Sequence, residues 1–353
     1  MSRLDSFFQP SVSGRPKLVL TQRHDGTFSW PALIKGGTSN QFYYCDATGR
    51  DSGGHNTNTA RLALACPGVG YRQENLIYKP DNGIGPTDVV AEDATDVDAV
   101  FTKSLVPNDT PGGQGNKVVV TQLKRTPAKW TNINNSTSTP QCWPLVMYRY
   151  YSGEMEGGVG KYPLPPLCYK WRMKLPANML SVLAGNPSHQ AWAENWTIKG
   201  GVDNANIQHR LAFKSIISAG ESGIRFELCF DLFNKNVDGS ALPATQPLTI
   251  WSLKSAEGAA IPGDVYDIYI WFDQKIRIAD LSGFAQVMVV NVSKNTVAMA
   301  DSITDVPTIG YDAVPGGRIY WEGCYTFGFP DGETIVIESS DIEIWSRSPV
   351  LIK

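Results

Sequence analysis

The chain has little of what several large function classes require. Its formal net charge is −3, so no general excess of positive charge exists to hold nucleic-acid phosphates or an anionic membrane. Any anionic ligand has to be held by a local cluster. Only four histidines occur, His24, His55, His189 and His209, and no two share metal-ligand spacing. The six cysteines, Cys45, Cys66, Cys142, Cys168, Cys229 and Cys324, contain no CxxC pair. That excludes a zinc ribbon and a compact disulfide framework, and they read as mostly buried free thiols. No cofactor is expected; a calcium ion bracing the loops is left open. No apolar run is long enough to cross a bilayer, so membrane insertion is not expected. The opening residues, MSRLDSFFQPSVSGRP, lack the basic segment, apolar stretch and cleavage site of a secretory signal. Synthesis in the cytoplasm is the expectation, and the sequons at Asn195 and Asn291 then have no route to glycosylation.

What is present describes a folded, turn-rich protein. Hydrophobic residues make up 42% and charged residues 18%, with 33 glycines and 23 prolines in 353 residues. This composition points to a core crossed by many turns, and a single domain over 1–353 is expected, with a possible loop-rich subdomain over 1–115. In Tyr169 to Leu175, Tyr169, Trp171, Met173 and Leu175 alternate with Lys170, Arg172 and Lys174. That is the period of a strand with one buried face. Similar strands are expected at Lys17–Thr21, Gln41–Cys45, Lys117–Leu123, Ala191–Ile198, His209–Ile217, Ile224–Leu232, Val265–Phe272, Ala285–Asn291, Arg318–Thr326 and Glu333–Trp345. Almost no amphipathic helix interrupts them, and no repeat is visible. The expectation is an all-β, antiparallel β-sandwich with long loops. Pro107–Gly115, PNDTPGGQG, is too polar to pack and reads as a mobile surface loop.

Two strand faces combine aromatic and acidic residues. Regular alternation sets Trp192, Glu194 and Trp196 on one side, an acid between two indoles. Sugar rings stack on aromatics while their hydroxyls and carboxylates need polar partners, so this face suits a glycan. Two core tryptophans with a paired acid would leave the same pattern. Likewise Asp267, Tyr269, Trp271 and Asp273 alternate with Ile268, Ile270 and Phe272, and only the latter set looks like core. Arg72 and Glu74 share a side, allowing an ion pair with guanidinium donors left for a carboxylate or sulfate. The row Lys170, Arg172 and Lys174 either grips an anionic polymer or is a solvated outer face.

Taken in order, these segments resemble the polysaccharide lyases with a concanavalin-like jelly roll, the group that includes alginate lyases and the heparin lyase I type. Arg72-x-Glu74 is similar to that group's Arg-x-Glu strand, and Tyr169 to Pro176 to a strand running into a proline-marked turn. Ala193-Glu194-Asn195-Trp196 falls where the group carries Gln-x-His. Ile319-Tyr320-Trp321-Glu322-Gly323-Cys324-Tyr325 resembles its Tyr-x-Lys-x-Gly-x-Tyr strand, with Gly323 and Tyr325 in register. The resemblance implies a jelly-roll fold and β-elimination on a uronate-containing glycan. That chemistry needs a base, a group neutralising the carboxylate and an acid for the leaving oxygen. Glu194 stands at the Gln position, Trp196 at the His position, and Ile319 and Trp321 replace the first Tyr and the Lys. The catalytic candidates that remain are Tyr325, Arg72 and a displaced Tyr320 or His209.

Three functions follow as expectations. The first is a lyase-like sandwich that binds a polysaccharide, anionic glycans included, without efficient cleavage. Trp192, Trp196, Tyr269 and Trp271 would be its platforms, and Glu194, Asp267, Glu74, Arg72 and Tyr320 its polar contacts. The second is a working lyase with Tyr325 as base and Arg72 on the carboxylate. The third is a structural virion component, such as a phage tail or capsid-surface protein touching host glycans as part of a homo-oligomer or larger assembly.

Overall fold

In a computed structural model of the chain, the residues described are 15–16, 18–22, 28–29, 42–44, 77–81, 84–90, 101–123, 146–150, 155–156, 159–160, 166–184, 191–200, 208–218, 220–233, 240, 248–275, 279–309, 317–321, 325–327 and 333–350. The first strands are β1 (Leu18–Gln22), β2 (Phe28–Ser29), β3 (Phe42–Tyr44), β4 (Ile77–Asp81), β5 (Ile84–Val90), β6 (Phe101–Pro107) and β7 (Asn116–Leu123). Next come β8 (Val146–Tyr150), β9 (Met155–Glu156), β10 (Val159–Gly160), β11 (Leu167–Lys174), the short helix α1 (Met179–Ala184), β12 (Ala191–Gly200) and β13 (Gln208–Ile217). The last are β14 (Arg225–Phe233), β15 (Leu248–Lys254), β16 (Val265–Phe272), β17 (Gly283–Asn291), β18 (Thr296–Val306), β19 (Gly317–Trp321), β20 (Tyr325–Phe327) and β21 (Thr334–Trp345).

Two antiparallel sheets form a jelly-roll-type sandwich. The first runs β18-β17-β16-β11-β21-β1-β2, with β7 also on β21 and β6 on β7. The second runs β15-β14-β13-β12-β19-β8-β3, with β20 also on β12. The chain alternates between them, since β11, β16–β18 and β21 belong to the first and β12–β15, β19 and β20 to the second. Their facing sides share one core. Tyr169, Trp171, Ile268, Ile270 and Phe272 come from the first sheet, and Trp196, Leu211, Phe213, Phe226 and Phe230 from the second. The alternation read from β11 is therefore the alternation observed: Tyr169, Trp171 and Met173 face the core while Lys170, Arg172 and Lys174 face away. Met179, Val182 and Leu183 of α1 join the same core.

Some strands were not legible. β6, β15 and β18 carry no clean period-two pattern: β15 reads LTIWSLK at the end of the second sheet, and β18, TVAMADSITDV, lies at the end of the first. The run from Arg318 to Thr326 divides into β19 and β20, both paired to β12.

The segment Pro107–Gly115 is not a loose excursion. Asn108 donates from Nδ2 to Asp341 Oδ2 at 3.1 Å, the Gln114 amide donates to Asp341 Oδ1 at 3.3 Å, and Arg172 donates to the Pro111 carbonyl. A charged face below supplies these anchors, which composition alone does not reveal.

Candidate functional site

A single extra residue decides where the expected glycan platform goes. The β12–β13 ladder pairs Glu194 with Lys214 and Trp196 with Phe213, so Asn195 is bulged out of register. Glu194 and Trp196 then sit on opposite faces. Trp196, 1% exposed, packs in the core with its ring 6.0 Å from Trp171 and 5.5 Å from Tyr169. It is no sugar platform. Asn195 is itself buried and accepts from Ser215 Oγ at 3.2 Å.

The second expected platform is also corrected. Trp271 is 3% exposed and packs edge-on against Phe284 at 5.3 Å. Asp267 receives Nε and Nη2 of Arg172 at 2.7 and 2.8 Å, a bidentate pair. Tyr269 is half-buried, and burial first, then the Asp267 charge, push its hydroxyl far up. These residues face outward from the first sheet, whereas Glu194 faces outward from the second, so the two sets lie on opposite sides of the sandwich and share no groove. The basic row is likewise committed: Lys170 pairs with Glu343 at 3.7 Å, Arg172 with Asp267, and Lys174 with Glu338 at 2.9 Å.

His209 is corrected too. It lies opposite Leu232 and its ring stands 6.1 Å from Phe230, on the core side of β13. It is buried, and it belongs to the face opposite Arg210 and Glu194. Arg72 and Glu74 lie outside the described residues. For Trp192, Tyr320 and Tyr325 the backbone alone is described: Trp192 pairs with Ile216 and Phe327, Tyr320 with Thr197, and Tyr325 with Glu194.

What the fold does assemble is a polar cluster on the outer face of the second sheet. Residues directly opposite in a ladder share a face. Glu194 and Lys214 form one such pair and Arg210 and Asp231 another. Arg210 donates from Nε to Asp231 Oδ2 at 2.8 Å and brings Nη1 within 3.0 Å of Glu194 Oε2, while its guanidinium lies 5.0 Å over the Phe233 ring. Lys214 Nζ reaches Asp231 Oδ2 at 3.3 Å, and Thr249 Oγ1 donates to Oδ1 at 2.7 Å. Burial opposes ionisation of Asp231, but the Arg210 and Lys214 charges with the Thr249 hydrogen bond override it and hold the carboxyl at about 2. Burial likewise works against the Arg210 charge, and Glu194 and Asp231 more than restore it. Glu194 differs from Asp231: neither of its oxygens receives a hydrogen bond among the described residues.

The same face carries a feature absent from every motif. Arg149 lies opposite Arg318, Arg318 opposite Lys199, and Lys199 opposite Arg210. Tyr43 pairs with Arg149 at the end of the row. Four basic residues from β8, β19, β12 and β13 thus align across the strands, over roughly 14 Å at the usual strand spacing. They lie far apart in the chain, so reading one strand at a time cannot find them.

No family model and no curated protein matches this chain. Solved structures do. A marine PL-14 alginate lyase from Aplysia kurodai matches at TM-score 0.39 and 8% identity, over 69% of this chain and 86% of that one. Alginate lyase vAL-1 from Chlorella virus matches at TM-score 0.37 and 11% identity, over 69% and 88%. The CBM2 module of the evolved Dit of Lactobacillus casei BL23 phage J-1 matches at TM-score 0.32 and 10% identity, over 72% and 100%. These scores are low, and the architecture rests on the strand pairing given above. Among the described residues, no group of three or more His, Cys, Asp or Glu could hold a metal ion, and no helix is long and apolar enough to cross a membrane.

Proposed function

We propose that this chain is a polysaccharide-binding β-sandwich whose ligand, an anionic glycan, is met at the β8–β19 end of the second sheet's outer face, beside the buried Arg210 cluster. The supporting observation is the cross-strand row Arg149, Arg318, Lys199 and Arg210. Like charges directly opposite each other destabilise a sheet, and this row repeats that juxtaposition at three successive steps. A polyanion laid along it turns the repulsion into attraction. With a formal net charge of −3 on the whole chain, such a row is the local cluster that an anionic ligand requires. Tyr43, at the end of the row, and Tyr320, paired to Thr197 beside it, are the aromatic residues nearest in register.

Binding without efficient cleavage is the form of this reading. The position that resembles the histidine of Gln-x-His carries Trp196, which is turned into the core. Arg210 has its charge committed to Asp231 and Glu194, so Lys199, Arg318 and Arg149 are assigned the greater part of the ligand contact.

The test is titration of the full chain with alginate, glucuronan and heparin-type polymers at low and high salt. The expected result is salt-sensitive binding to a carboxylated polymer, weakened about tenfold in Arg318→Ala or Lys199→Ala, which corresponds to about 1.4 kcal/mol. Equal affinity for duplex DNA, or affinity untouched by both variants, sinks the assignment. Appearance of unsaturated-product absorbance that Tyr325→Phe abolishes would replace it with a working lyase.

A further inference from the structure

The outer face of the second sheet changes in charge as it crosses β12. Around β13, cations stand opposite acids: Arg210 faces Asp231, and Lys214 faces Glu194 on one side and Glu227 on the other. Glu227 is matched in turn by Lys254 at 3.5 Å. Towards β3, cations stand opposite cations: Arg318 lies between Lys199 and Arg149, and Arg149 between Arg318 and Tyr43. No acid lies directly opposite Lys199, Arg318 or Arg149 in these ladders.

Arg210, Lys214, Glu194 and Asp231 together carry no net charge, and none is more than 7% exposed. Burial would neutralise Asp231, but the Arg210 and Lys214 charges override it, so this carboxylate stays negative at ordinary pH. A polyanion gains nothing at this cluster, because it would give up its own water to compete with carboxylates already seated on both cations. The other three positions carry positive charge that nothing opposite them in register cancels. Lys199 to Arg149 is two strand spacings, about 10 Å, and successive sugars of an extended polyuronate each advance by roughly one such spacing. We infer that the proposed site is short and closed at one end: it holds a stretch of the anionic chain at the register positions Lys199, Arg318 and Arg149, and the balanced Arg210–Asp231 pair stops the chain from crossing β13 and β14. This rests on the proposed function and adds the length and charge of the segment recognised, about three to four sugars bearing about three carboxylates.

Glucuronan oligomers of graded length, titrated against the full wild-type chain beside the polymer, test this without any variant. Affinity should rise about tenfold or more from dimer to tetramer, and by no more than about threefold from tetramer to decamer, the gain expected from extra binding registers alone. The logarithm of affinity should fall with the logarithm of salt with a slope of magnitude about 2, the same for tetramer and polymer, as three charges on a flexible chain require. Lys199→Gln, Arg318→Gln and Arg149→Gln should each reduce that magnitude by about 0.7. A further tenfold gain from tetramer to decamer, or a polymer slope twice that of the tetramer, means that the chain crosses the whole face and overturns the inference alone. Binding of the polymer with no binding of the tetramer also overturns the inference alone. Failure of polymer and oligomers alike to bind overturns it together with the proposed function.

Discussion

Asp231 and Arg210 lie directly opposite each other in the β13–β14 ladder, and Nε of Arg210 donates to Oδ2 of Asp231 at 2.8 Å where almost no water reaches. The same carboxylate also holds Lys214 and Thr249, so it organises the charged outer face of the second sheet. Removing one member of such a pair leaves an uncompensated buried charge. Asp231→Asn keeps the shape and abandons two cations, and it should cost about 3–5 kcal/mol in urea unfolding. A loss below about 1 kcal/mol would mean that Arg210 and Lys214 find other acids or water.

The same carboxylate sets an acid limit. Burial raises its proton affinity, but Arg210, Lys214 and Thr249 outweigh burial and bring it from 3.8 to about 2. A folded value below the unfolded one means stability that is fully present above about pH 4 and is lost as pH falls towards 2. The amount is about 2 kcal/mol. Unfolding measured between these limits should show a steeper decline in the wild-type chain than in Asp231→Asn; parallel slopes would remove Asp231 from the acid response.

Trp196 offers a direct contrast between platform and core. Its indole is enclosed by Tyr169, Trp171 and Phe272. Trp196→Ala should cost about 3–5 kcal/mol, the range for large aromatic deletions in a packed core. At a temperature where the variant is still folded, its affinity for the carboxylated polymer should equal that of the wild type. A selective loss of binding with stability unchanged would restore the platform role.

Period-two alternation made the sandwich legible wherever a strand is regular, as in β11 and β16, where Ile268, Ile270 and Phe272 are core as expected. It failed at β12 because the bulge at Asn195 reverses the faces after Glu194, and nothing in AWAENWTIKG marks that extra residue. One slip of this kind moved Trp196 from a glycan platform to the core. Glu194 kept its place as a polar residue on an outer face. The row Arg149, Arg318, Lys199 and Arg210 was beyond reach for another reason: it exists only once the order β8-β19-β12-β13 is known, and strand order is not a local property of sequence. Asp267 and Trp271 were read correctly as facing away from the core strip, but which sheet they faced out from depended on the same topology.

The turn between β6 and β7 provides the last prediction. Asp341 interrupts β21 with a φ of 52°, in the left-handed region, and its carboxylate accepts from Asn108, the Gln114 amide and Ser340. A side chain there has to tolerate that backbone and also hold the loop. Asn tolerates it and retains one acceptor oxygen, Gly relieves the backbone but offers no acceptor, and Ala does neither. Ala also pays a strain of about 1–3 kcal/mol. Hydrogen exchange at Asn108 to Gly115 should therefore quicken only slightly in Asp341→Asn and markedly in Asp341→Gly and Asp341→Ala, with Ala also lowering global stability. Arg172, held by both oxygens of Asp267 while donating to the Pro111 carbonyl, keeps the loop from leaving altogether, so the double variant with Arg172→Ala should exchange fastest. If loop exchange is the same in Gly, Ala and wild type, the Asp341 carboxylate is not the anchor and the left-handed turn alone accounts for its position.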